Sequence, residues 1–179
     1  MIQFPGAELF AIVILVTGAL FAAFWYLDHL THLEIWRQDI TDGELKTHRM
    51  ILYASYALML SLGIFAISPW LGLPIFVGAW ITRTLHETID EFKWHLPRCT
   101  ERETLIHLVM WITIHAGTAA TFLWGFFWQY EGFGELSIFY RLGFAVLFVL
   151  YSVVGHLELT SYKTRNHPQS RAASDALVP

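Results

Sequence analysis

Residues 9–27 read LFAIVILVTGALFAAFWYL, a run without one charged side chain. The hydrocarbon core of a bilayer takes about 20 apolar residues in helical conformation, and this run approaches that length. The residues before it lack the basic segment of a cleaved signal peptide, so the run is expected to stay as a first helix, over about 8–37. Asp39, Thr41, Asp42 and Gly43 then form a turn.

Four further helices follow from the same reading. The second covers about 45–67, and Ser68-Pro69 ends it because proline cannot continue the hydrogen-bond ladder. The third, about 73–95, is apolar to Leu85 and charged from there to His95. Thr100 followed by Glu103 has the spacing of a capping box and opens a fourth helix at 101–128. After a loop at 129–135 the fifth runs over about 137–162. Residues 163–179 are rich in Ser, Asn, Arg and Ala and are expected to form a disordered tail. The expectation is an all-α integral membrane protein, a bundle of five transmembrane helices formed by residues 1–162.

Basic residues set the direction. Arg37, Lys46, Arg49, Arg83, Lys93, Arg98, Arg102, Lys163, Arg165 and Arg171 fall on one side of the five spans, and only Arg141 on the other. The positive side is cytoplasmic, which puts the N-terminus outside and the C-terminus inside, as in a bacterial inner membrane. Trp25, Trp70, Trp124 and Trp128 suit interfacial anchors, though Trp25 also suits packing between helices. No basic stripe with interleaved aromatics occurs, which argues against nucleic acid. A single cysteine, Cys99, excludes an intrachain disulfide and paired-cysteine metal motifs.

The nine histidines are not scattered. His29, His32, His48, His86, His95, His107 and His156 lie at helix ends that share the cytoplasmic side. His115 is about 12 Å deeper along the fourth helix at 1.5 Å per residue, and His167 is in the tail. Ionisable groups inside a membrane are costly, face the bundle and mark functional sites by default. Helical phase puts Asp28, His29 and His32 on one stripe, and Arg83, His86, Glu87, Asp90 and Trp94 on another, with Glu91 and His95 on its flank. The expected metal shell is therefore His29, His32, His86, Glu87, Asp90, Glu91, His107, His115 and His156. His48 and His95 read as solvated edge positions, and Glu34 and Glu158 lie off the shared faces. Simple pairing is the alternative: Arg83 with Glu87, His86 with Asp90, His95 with Glu91, and His115 with the hydroxyl of Thr113 or Thr118.

Mixed imidazole and carboxylate donors suit non-haem iron, with zinc or copper as other choices. That points to an oxidoreductase acting on an apolar or lipid substrate or a quinone. In layout the chain is similar to membrane desaturases and hydroxylases, yet it holds none of their HxxHH boxes, His29-Leu-Thr-His32 being only HxxH. A di-iron bundle of the soluble type uses Glu-x-x-His motifs, and none is present. The alternatives are a cytochrome-b-like subunit holding haem b through His107 or His115, and a non-catalytic accessory subunit bound to other membrane chains. A proton or ion path across the membrane is disfavoured, because few polar residues occupy the outer half of the helices.

Overall fold

The computed structural model describes residues 4–36, 42–95 and 100–164, with side chains over 4–31, 43–95 and 100–160. Of the expected tail, residues 163 and 164 belong to the last helix; residues 165–179 with His167, Arg37, Arg98 and Cys99, and the side chains of His32 and Glu34, lie outside the described residues. Five α-helices follow in order: α1 (Ala7–Trp36), α2 (Asp42–Ile64), α3 (Pro69–Ile89), α4 (Glu101–Trp128) and α5 (Ile138–Thr164). A π-turn, Asp90–His95, prolongs α3, and a 3-10 turn, Phe133–Glu135, precedes α5. No strand occurs among the described residues. Helix α1 packs along α4 and against α5, α2 packs along α3, and the α2–α3 pair meets α4 more lightly.

Local chemistry explains the helix ends. Thr100 and Glu103 close the expected capping box: the Thr100 amide donates to Glu103 Oε2 at 2.7 Å, and the Glu103 amide donates to Thr100 Oγ1 at 3.3 Å. The stop expected at Ser68-Pro69 is instead a start. Helix α2 ends at Ile64, Ser68 is extended, and Pro69 takes the first position of α3, where its missing N–H would have had no helical partner. Helix α3 thus begins four residues before the expected 73.

Three helical stretches are long and apolar enough to cross a membrane: Ala7–Thr31, Glu101–Trp128 and Ile138–Thr160. Helices α2 and α3 fall short of that for a common reason. The first turns of α2 carry Glu44, Lys46, His48 and Arg49, and the last turns of α3 carry Arg83, His86 and Glu87. These polar ends lie together.

The opposite end is an aromatic core. Phe10 stacks on Trp124 at 5.7 Å, Phe76 on Phe122 at 4.5 Å, and Phe65 packs edge-on against Phe122 and Phe126. Trp124 is 1% exposed, so this residue is a core element and not the interfacial anchor its sequence position suggested, whereas Trp70 is 74% exposed. Gln129 and Tyr130 both take left-handed backbone angles, which cost a non-glycine residue energy unless its surroundings hold it. The Tyr130 hydroxyl donates to the Leu62 carbonyl at 2.7 Å, and the Trp124 indole donates to the Glu131 carbonyl at 3.0 Å. Those two bonds fasten the loop to the helices beneath it.

Candidate metal centre

The π-turn decides where the donors point. In an α-helix of 3.6 residues per turn, positions 90 and 95 stand about 140° apart. The i→i+5 hydrogen bonding of a π-turn brings them back to one side, and such turns often accompany functional sites. Asp90 Oδ2 accordingly lies 3.6 Å from His95 Nε2. His95 is 4% exposed, at the middle of the cluster and not at its edge.

The contacts spread outward from both nitrogens of His95. Nε2 also lies 3.8 Å from Glu44 Oε1, on α2. Nδ1 lies 3.1 Å from His107 Nδ1, on α4, and 3.9 Å from Glu91 Oε2. The two rings stack with centroids 4.5 Å apart. His107 Nδ1 meets Glu91 Oε2 at 2.9 Å, and its Nε2 meets Asp28 Oδ1, on α1, at 2.9 Å. His48 Nε2 lies 3.1 Å from Asp90 Oδ1, and its Nδ1 lies 3.7 Å from Glu158 Oε1, on α5. Glu158 is held in turn by the Trp25 indole, which donates to its Oε2 at 2.8 Å. Every helix contributes.

Among the described residues, two groups could hold a metal ion: Glu44, His48 and His95, and Glu91, His95 and His107. Each has two imidazoles and one carboxylate, and they share His95. The surrounding charge points the same way. Asp28, Glu44, Asp90, Glu91 and Glu158 are five carboxylates against three imidazoles.

The remaining expected residues are placed as follows. Asp90, Glu91 and His107 belong to the cluster. Glu87 pairs with the Arg83 guanidinium, as the pairing alternative anticipated, and its Oε2 is buried without a hydrogen-bond partner. His86 has Nδ1 in the same condition. His29 is buried, His156 is exposed, and neither belongs to the two groups. His115 packs edge-on against Trp111 and Trp80, with a buried Nε2 that has no hydrogen-bond partner. The Thr113 hydroxyl does not serve it, but donates to the carbonyls of Val109 and Met110.

Glu44 and Glu158 were not expected, and His48 and His95 were set at the edge. A signal for three of these exists in the sequence. Glu44 and His48, Glu91 and His95, and Glu103 and His107 all have Glu-x-x-x-His spacing, which puts a carboxylate and an imidazole one helical turn apart. The third pair is divided between tasks, since Glu103 serves the helix cap.

The cluster borders a partly open cavity of about 410 Å³ whose other walls include Phe21, Trp25, Leu52, Leu108 and Trp111. A second cavity of about 230 Å³, mostly apolar, shares Phe21, Trp25, Ser55 and Arg83 with the first and continues between α1, α2, α4 and α5. Searched against family models, curated proteins and solved structures, the chain matches none.

Proposed function

We propose that the chain is an integral membrane protein of five spans that binds a transition metal through this cluster and works as an oxidoreductase on an apolar substrate. Two groups of two imidazoles and one carboxylate, bordering a cavity with charged and apolar walls, carry the reading. That donor set with open positions is typical of non-haem iron, so iron is the metal favoured. Bound there, it would supply redox chemistry beside whatever lies in the cavity. The chain's own residues would position it: Asp28 and Glu158 orient His107 and His48, and a carboxylate on the far side of a ligating imidazole fixes its tautomer and raises its basicity.

The surface supports a bilayer setting. Leu9, Ile12, Val16 and Leu20 on α1 are exposed, as are Ile75, Val77 and Ile81 on α3 and Val146, Val149 and Val153 on α5. Soluble monomers rarely show apolar patches of more than a few hundred Å², whereas hydrocarbon accepts such a surface. The interior meanwhile holds Glu44 at 1% and Arg83 at 5% exposure. The exposed residues on α3 support counting it, with α2, among the spans. On the distribution of basic residues, the metal cluster faces the cytoplasm and the N-terminus lies outside. A lipid tail or quinone fits the second cavity by its chemistry.

The test is elemental analysis and an absorption spectrum of the full chain purified in detergent. Near-stoichiometric iron without a Soret band is expected. Zinc or copper in its place would keep the site and change its chemistry. A Soret band would put the haem reading first. Protein free of both metal and pigment, after reconstitution with Fe(II), would leave only the accessory role.

A further inference from the structure

We propose that His95 is a shared ligand, giving one ring nitrogen to each of two metal ions. The proposal rests on the metal-binding reading above and goes beyond it, since one ion alone would satisfy that reading.

The two nitrogens of His95 face different donors. On the Nε2 side stand Glu44 at 3.8 Å and Asp90 at 3.6 Å, and Asp90 reaches on to His48 at 3.1 Å. On the Nδ1 side stand His107 at 3.1 Å and Glu91 at 3.9 Å. These separations suit donors gathered around a cation, because Zn–N and Zn–O bonds are about 2.0–2.2 Å and ligands of one ion lie farther apart than that. His107 is already oriented for the task. Its Nε2 faces Asp28 at 2.9 Å, which can keep a proton there when Nδ1, 2.9 Å from Glu91, gives its own proton up to solvent and turns a lone pair to a cation. The short Nδ1–Nδ1 contact has the same consequence: two ring nitrogens at 3.1 Å have either one proton or one cation between them.

A ring that gives both lone pairs has no N–H, so His95 loses its remaining ring proton when the second ion binds. That proton departs with the solvent water the ion displaces, and no electron changes hands.

Copper(II) is the probe, loaded into the full-length protein in detergent and followed by equilibrium dialysis and electron paramagnetic resonance. Two equivalents per chain are expected, with an integrated signal below two spins because the shared ring couples them. His48→Ala and His107→Ala are each expected to hold one equivalent at full one-spin intensity, a twofold drop in capacity with the coupling gone. His95→Gln is expected to lose the coupling and both tightly held ions. If that variant fails to fold, the two single-site variants still decide the matter. One equivalent in the unmodified chain would overturn the shared ring and leave metal binding standing. No bound copper, iron or zinc would overturn both. Two uncoupled equivalents, or coupling that survives in His95→Gln, would put the bridge elsewhere and overturn the proposal.

Discussion

Helix α4 passes through two regions built on opposite rules. From Ala120 to Trp128 one face of it packs into an aromatic core, where Phe10 and Trp124 stack and the Trp124 indole donates to a backbone carbonyl. Around His107 it meets carboxylates from α1 and the π-turn, and a cavity opens beside them. Well-filled aromatic packing is what holds a fold together, whereas a buried cluster of carboxylates and imidazoles stabilises little. The comparison teaches a division of labour: one end secures the helices so that the other can hold buried charge.

The comparison breaks most visibly at Trp124. Trp124→Ala would leave a cavity in the core and cost about 3–5 kcal/mol, seen as a lower midpoint in thermal unfolding in detergent. Its metal capacity per folded chain should equal that of the unmodified protein. If metal is lost along with stability, the two ends are not independent. At the other end, Asp28→Asn keeps size and removes the charge that orients His107. Metal affinity should fall about 10–100-fold, read by competition with a chelator, while the unfolding midpoint moves far less than for Trp124→Ala. Unchanged affinity would mean that Asp28 is a packing residue.

Smaller effects sharpen the boundary. Thr100→Ala removes the cap that starts α4 and should cost about 1 kcal/mol, with increased hydrogen exchange confined to the first turn. Spread of that exchange to His107 would tie the cap to the site. His156→Ala alters an exposed side chain outside both donor groups. It should change stability by no more than about 0.5 kcal/mol and leave bound metal as it was. A loss of metal there would enlarge the shell to α5 beyond Glu158.

Much of the frame was legible in the sequence. The apolar runs placed the helices, Thr100 and Glu103 placed a cap, and clustering of histidines at one end pointed to the right end. Pro69 misled because proline both stops one helix and suits the first turn of the next, and only the extended Ser68 shows which role applies. The site itself was half visible. Asp90, Glu91 and His107 stood out as charged groups next to apolar runs. His95 and Glu44 did not, for two physical reasons. Phase at 100° per residue fails where the backbone becomes a π-turn, so His95 fell only on the flank of the Asp90 stripe and, near the water interface, read as solvated. The neighbours of α2 depend on helix order, which periodicity along one chain does not contain.

That single π-turn also makes the site sensitive to backbone winding as well as to composition. Phe92 and Lys93, inside the turn, are exposed and belong to neither donor group. Deleting either one would let Asp90 to His95 relax into an ordinary α-helix one residue shorter. Asp90 and His95 would then stand four residues apart and keep a shared face. The same six residues wound as an ordinary α-helix, with nothing deleted, would instead turn His95 about 140° from Asp90, although every donor would still be encoded.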